Sequence, residues 1–538
     1  MHVVMLASEN DALPGGKVGG LADVVRDAPP ALAQQGWKVS VVVPSYNFLH
    51  ALPGARKVCD FSLDFRHTAH PIDIYAVPAE NPHAGVDQFV LHHPALAAYA
   101  PSRIYHDDPP QRPFATDANR FALFCAAAAA ALTRRVWSDV DCLHLHDWPT
   151  ALLLVLRRFD PACSPLAKIR TVFTIHNLAL QGVRPLAGDD SSLEAWLSGT
   201  PYDWFTVADR RWTNCVNPLA AAVRLADAVH VVSPTYAAEI LQPSRPPVFF
   251  GGEGLEVDLM NARNEGRLTG ILNGCAHSAD RQPARLDFAK MLAVFQSAVI
   301  EWAGDAGPVP RAHFLAYTRL NDWIRKPVPP GLLLTGVSRL VDQKVLLLRA
   351  AGSDGRPGLE GLLATLGEDD LYILLGTGSP ENEAYFTHMS ARHPNFIFLN
   401  GFSDSVADLL YANGDLFVMP SSFEPCGISQ MLALRDGQPC LVHEVGGLKD
   451  TIKEGVNGFC FGGDSLPEQV DSLTAAACRA TLLFKTEARR WKRLRAQAAA
   501  SRFSWDASVR QYIEKLYQAS DRKLPSPGES RGKERRPA

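Results

Sequence analysis

Twice along this chain, short β-branched runs recur, each followed by a turn and then by a helical pattern. In the first series, Val3–Ala7, Val39–Pro44, Asp141–His146, Thr171–His176 and Ala228–Val232 read as buried strands, and 20–35, 149–158 and 234–241 read as helices. A second series starts near residue 331, with Gly331–Ser338, Tyr372–Gly376, Phe396–Leu399, Leu416–Met419 and Pro439–His443. Strands that alternate with helices build parallel βαβ units, because a parallel pair needs a crossover and the helix supplies it. The 538 residues exceed what one hydrophobic core serves. The fold class expected is therefore α/β, with two doubly wound domains and a cleft between them. Residues 275–330, which hold GDAGPVP and RKPVPPG, read as an irregular linker. In such sheets ligands bind beyond the carboxyl ends of the strands, so functional residues are expected directly after strands.

Composition removes several function classes. With 53 basic and 57 acidic residues the net charge is -4, which leaves no footprint for nucleic acid. The ten cysteines are scattered without a CxxC pair, which argues against a zinc or disulfide framework. The opening MHVVMLASEN lacks a basic n-region and a long apolar stretch, so no signal peptide is expected. The run FCAAAAAAL at 124–132 is too short to span a bilayer and reads as a close-packed buried helix. These features point to a soluble, cytoplasmic protein without a membrane partner. Residues 521–538, charged and rich in Pro and Gly, read as a disordered tail.

Four turns after strands carry chemistry. Lys17-Val-Gly19-Gly20-Leu21-Ala22-Asp23 opens a helix, where two glycines let backbone approach a ligand and free N–H groups face an anion. It is neither a Walker loop nor a GxGxxG fingerprint. Glu424-Pro425-Cys426-Gly427-Ile428-Ser429 places a carboxylate, suited to sugar hydroxyls, at a strand-to-helix turn. Glu444-Val445-Gly446-Gly447 is a second Gly-Gly turn, and Ser338-Arg339-Leu340-Val341-Asp342-Gln343-Lys344 offers two cations. Taken singly, each of these is also compatible with a plain turn or a solvated face. The strand ends His144-Leu145-His146-Asp147-Trp148 and Thr174-Ile175-His176-Asn177 hold histidines, but no third metal ligand stands at sensible spacing.

Together these blocks resemble the bacterial glycogen synthases and plant starch synthases, glycosyltransferases of the GT-B fold. The resemblance rests on KVGGLADVV (17–25), HLHDW (144–148), TIHNLALQG (174–182), VSPTYAAEI (232–240), GILNG (270–274), SRLVDQK (338–344), LLGTG (374–378), PSSFEPCGISQ (420–430) and GGLKDT (446–451). These blocks follow the family's order, and FSWDASVRQYIEKLY (503–517) is similar to its C-terminal helix. The resemblance implies two Rossmann-like domains, 1–274 on the acceptor side and 331–502 on the nucleotide-sugar side, with 503–520 crossing back to the first. It implies transfer of glucose from ADP-glucose to the 4-OH end of an α-1,4-glucan primer, with retained configuration and without cofactor or metal.

By the same resemblance, Lys17, His176, Arg339, Lys344 and Glu424 are the catalytic set. Lys17, Arg339 and Lys344 serve the diphosphate, and Glu424 the glucose hydroxyls. Gly19, Gly20, Asp23, Asn273, Cys426, Gly427, Ser429, Gly446 and Gly447 would hold the donor, while Tyr105, Asp147 and Trp148 line the acceptor side. The pattern departs at Ala276 (usually Asp), Val345 (Gly), Leu180 (Tyr), Pro149 (His) and Asp436-Gly437 (Tyr-Gly). Leu432 stands where other retaining GT-B enzymes carry a second glutamate. Two alternatives accompany the synthase reading: a GT-B transferase with another acceptor, and a weakly active paralogue that binds glucan or a partner synthase.

Overall fold

The computed structural model describes residues 1–101, 103–275, 285–305 and 309–518. The expected tail at 521–538 and the departure at Ala276 lie outside the described residues.

A nine-stranded sheet forms the first lobe. Its order is Leu268–Gly270, Ala228–Val231, Arg170–Ile175, Cys142–His146, His2–Leu6, Lys38–Pro44, Val86–His92, Thr68–Ala76 and Arg56–Phe65. The first seven run parallel, and the last two form an antiparallel hairpin at the edge. Strand His2–Leu6 is buried along its whole length, as a strand covered by helices on both faces must be. The sequence reading missed four of these strands, Leu268–Gly270 at one edge and Val86–His92, Thr68–Ala76 and Arg56–Phe65 at the other. Arg56–Phe65 keeps one face towards water, and a register shift between Lys57 and Cys59 interrupts its alternation.

The second lobe holds six parallel strands in the order Phe396–Leu399, Leu371–Leu375, Leu333–Val337, Leu416–Met419, Cys440–His443 and Gly458–Phe461. Segment 275–330 is not an irregular linker among the described residues. It carries the helices Phe288–Asp305 and Arg311–Ile324, whose Phe295, Leu320 and Trp323 pack with Leu333, Ile373 and Ile397 in the second core. The Pro and Gly clusters lie at the ends of these helices, which end where the backbone cannot continue them.

The chain then returns to the first lobe. Helix Trp505–Gln511 runs into the turn Tyr512–Tyr517, and Trp505, Val509, Tyr512, Leu516 and Tyr517 all join the first core. Burying such side chains contributes ~1.5–3 kcal/mol each, enough to hold the segment in place. Tyr517 Oη meets His144 Nδ1 at 2.8 Å, and Ser508 Oγ donates to the Leu272 carbonyl at 2.7 Å. The exit and the return of the chain lie side by side, since the Cys275 amide donates to the Phe503 carbonyl at 2.8 Å and Cys275 pairs with Ser504. Among the described residues no helix is long and apolar enough to cross a membrane.

Candidate active site between the lobes

The first lobe contributes the loop 8–20, between strand His2–Leu6 and helix Gly20–Gln34. Glu9 organises it. This buried carboxylate accepts from the Val18 amide at 2.8 Å, the Gly19 amide at 2.5 Å and the Tyr105 hydroxyl at 2.8 Å. Burial raises the Glu9 pKa, while these donors and the charge of Arg339 pull it back. The Gly19 amide, expected to face the donor, is therefore taken by protein. Gly20 is exposed with open space beside its Cα, so the approach to the helix start is clear.

Lys17 does not reach across the cleft here. Its ammonium lies 2.7 Å from Asp23 and 3.2 Å from Asp11, and Arg26 pairs with the same Asp11. Burial works against the Lys17 charge, but Asp23 and Asp11 outweigh it and hold its pKa above the usual lysine value. Asp23 thus keeps Lys17 charged and aims it.

Behind this loop lie the two histidine strand ends. His176 donates its backbone amide to Asp147 Oδ1 at 2.7 Å, and its Nε2 meets His146 Nδ1 at 2.9 Å. His144 and His230 share the Thr174 hydroxyl at 2.6 and 2.9 Å. His144 stacks on His146 and His146 on His176, and His230 joins the group through Thr174. Burial lowers all their pKa values, to about 3 for His146 and about 4 for His230, and well below the ordinary value for His144 and His176. Burial pushes Asp147 up to about 7 against the His176 and Asn177 amides. Among the described residues no cluster of three or more His, Cys, Asp or Glu is set to hold a metal. Trp148, expected on the acceptor side, is buried instead. Its indole packs against Phe114 and Phe121, and Gly182 lies directly on the ring.

The second lobe answers with its own cations. Lys344 Nζ pairs with Glu424, with side chains only 15% and 6% exposed, and Ser421 Oγ donates to the same carboxylate at 3.0 Å. Arg339 is exposed and makes no side-chain hydrogen bond or ion pair among the described residues. Its charge, after the hydrogen-bond donors, helps to pull the Glu9 pKa down. The turns at 424–427 and 444–447 lock together: the Gly447 amide donates to the Glu424 carbonyl at 3.0 Å. At Gly446, with φ +42, a Cβ would run into that same carbonyl. Ser429 starts the helix Ser429–Arg435, and Cys426 is buried in the first lobe's core, while the Asn273 amide donates to the Val232 carbonyl at 3.3 Å.

Three further contacts join the lobes. Ser233 Oγ donates to the Pro425 carbonyl at 2.6 Å, the Thr235 amide and hydroxyl donate to Asp450 at 2.9 and 2.7 Å, and Glu239 accepts from the Gly446 amide at 3.0 Å. Burial raises the Glu239 pKa to about 7. The Gly446 amide, like that of Gly19, is thus held by a carboxylate. Glu9 and Glu239 escaped the sequence reading. For Glu9 the available signal was its place just past the carboxyl end of a central strand.

Glu9→Ala is expected to cost about 3 kcal/mol in urea unfolding, because two amides and a buried hydroxyl lose their acceptor. Glu9→Gln, which keeps the shape, should cost less. Equal stability of the two variants would show that Glu9 does not hold the loop.

Two facing Rossmann-like lobes, with cations and loop amides on both sides of the cleft, define a glycosyltransferase of the GT-B class. Comparison narrows this class. Residues 2–261 match the family described as "Starch synthase catalytic domain", and 359–477 match "Glycosyl transferases group 1". A glycogen synthase of Gloeobacter violaceus is 35% identical, covering 96% of this chain and 99% of that protein. One of an Anaeromyxobacter species is 33% identical, with 96% and 99% covered. The catalytic domain of Arabidopsis thaliana starch synthase IV, solved bound to ADP and acarbose, superposes with a TM-score of 0.73 at 26% identity, covering 96% of this chain and 98% of that one. The chain belongs to the glycogen and starch synthase family.

Proposed function

We propose that this protein transfers glucose from ADP-glucose to the non-reducing 4-hydroxyl of an α-1,4-glucan, with retention at the anomeric carbon. The observation that carries the reading is the contact between the lobes at the Glu424 turn, where Glu239 of the first lobe accepts from the Gly446 amide close to the buried Lys344–Glu424 pair. The relatives' activity as glycogen synthases, and the ADP in the starch synthase IV structure, support donor and acceptor.

In this mechanism the diphosphate lies between Lys17, Arg339 and Lys344, and Glu424 holds glucose hydroxyls. The bond from the anomeric carbon to phosphate oxygen breaks with its electron pair leaving on ADP. Once the donor is bound and Lys17 has turned to it, the three cations stabilise that developing charge with no further rearrangement during bond cleavage. The acceptor oxygen attacks the same face, and its proton passes to the departing phosphate. His176, held neutral by burial, adds no positive charge next to the oxocarbenium-like carbon. On donor binding Lys17 exchanges Asp23 for phosphate, a swap the exposed Gly20 approach permits. Closure excludes the water that would hydrolyse the donor.

The test is ADP release from ADP-glucose on a glycogen primer, with UDP-glucose as a parallel donor. Primer-dependent release that prefers ADP-glucose is the expected result. Release without primer would point to another acceptor, and none with either donor would leave a binding paralogue.

A further inference from the structure

The hydrogen bonds of the buried histidines behind the glycine loop run in a fixed direction. A neutral imidazole carries one proton, so each ring donates from one nitrogen and accepts at the other. Burial holds all four rings neutral. His230 Nε2 lies 3.3 Å from the Ile271 carbonyl, which can only accept, so that nitrogen carries the proton. His230 Nδ1 then takes the Thr174 hydroxyl proton at 2.9 Å. The Thr174 oxygen is left to accept, and His144 Nε2–H donates to it at 2.6 Å. His144 Nδ1 is therefore bare and accepts from the Tyr517 hydroxyl at 2.8 Å. Every proton in this run is used, and none is offered to His146.

His146 and His176 form the remaining pair, Nδ1 to Nε2 at 2.9 Å, with one proton between them. If His176 donated, His146 would carry its own proton on Nε2. That nitrogen is sealed from solvent and has no partner among the described residues, so a buried N–H would be left unsatisfied. If His146 donates, the same sealed atom is only a bare lone pair. An orphaned buried N–H is the rarer and costlier of the two. His146 is thus the donor.

The other edge of His176 is set by this choice. Its Nε2 accepts, so its single proton stands on Nδ1, which has no partner among the described residues and is not sealed off as His146 Nε2 is. The next residue, Asn177, lines the pocket between the lobes. Asp147 Oδ1 accepts the His176 amide at 2.7 Å, which fixes the backbone that carries the ring.

We infer that His146 is a positioning residue that selects the tautomer of His176, so that the cleft is offered an Nδ1–H donor and not a lone pair. This rests on the synthase reading, in which His176 adjoins the reacting carbon. The Nδ1–H binds an oxygen of the glucosyl donor, whereas the opposite tautomer would set lone pair against lone pair. His146 does this without touching the substrate.

The experiment uses the full chain with nitrogen-15 histidine, free of donor and primer. NMR reads which ring nitrogens are protonated, and the two rings are assigned by the signals lost in His146→Asn and His176→Asn. A protonated Nδ1 and a bare Nε2 on both rings is the expected result. A protonated Nε2 on either ring would overturn the proposal. His146→Leu is expected to move the His176 proton to Nε2 and to lower kcat/KM for ADP-glucose about 10²-fold, the cost of one preorganised donor. His146→Asn, whose amide nitrogen stands where Nδ1 stood and still donates, should lose only about threefold. A His146→Leu protein in which His176 Nδ1 keeps its proton would also overturn the proposal, since packing alone would then account for the loss. The tautomers are read without turnover. The expected signals in a protein that releases no ADP would therefore sink the synthase reading and leave the role of His146 standing.

Discussion

Lys344→Ala and Glu424→Ala are each expected to lower kcat/KM by about 10³-fold or more, and the double variant by little more than either alone. Two effects combine. Each partner contacts the donor in the proposed mechanism, and removal of one preorganised charged group costs about 10²–10³ in rate. Each is also the other's only ion-pair partner among the described residues, in a setting where both side chains are largely shielded from water. Removing one leaves the other as a buried, uncompensated charge, which costs ~3–5 kcal/mol and displaces the turn at 424–427. Residues that act as a unit give non-additive losses. Steady-state kinetics on ADP-glucose and glycogen, with a urea midpoint for each variant, would separate the contributions. Losses that simply multiply in the double variant would show that the pair does not act as one element.

The first lobe is expected to fail cooperatively in acid, below about pH 4. His144, His146, His176 and His230 are held neutral in the fold, whereas an unfolded histidine titrates near 6.5. Below that pH the unfolded chain takes up protons that the native chain refuses, so stability falls by ~1.4 kcal/mol per pH unit for each group. Asp147, Glu239 and Glu9 act in the opposite direction. Their native pKa values are raised, to about 7 for the first two, so the native state binds protons that the unfolded state does not take up until about pH 4. Between about pH 6.5 and 4 the carboxylates offset most of the histidine loss. Below about pH 4 the offset is exhausted, while His146 and His144 still resist protonation. A margin of ~5–15 kcal/mol then disappears within roughly two pH units. Urea midpoints followed by tryptophan fluorescence should change gently from pH 7 to 4.5 and collapse below that. A midpoint that holds steady to pH 3.5 would contradict the buried, neutral state of these rings.

The central parallel strands were legible because their residues are buried on both faces and read as almost wholly apolar runs, as VVML and VSVVV do. The edge hairpin 56–76 was not, because half of its side chains meet water. Helices 288–305 and 311–324 were hidden by the Pro and Gly at their ends, which mark boundaries of structure and were taken for its absence. In the candidate site, the glycine turns and cations stood out by residue type. The partners of those groups did not. That Lys17 turns towards Asp23 and Glu9 takes the Gly19 amide depends on how one loop folds back on itself, and that Glu239 takes the Gly446 amide depends on a contact 207 residues apart in the chain.

The adjacency of Cys275 with Phe503 and Ser504 limits how the lobes can move. Two covalent strands, hydrogen-bonded to each other, connect the same two bodies at one edge. A single strand would act as a swivel, whereas a paired ribbon resists torsion and yields mainly to bending about one axis. Opening of the cleft is therefore expected to bend about this edge and not to twist around it.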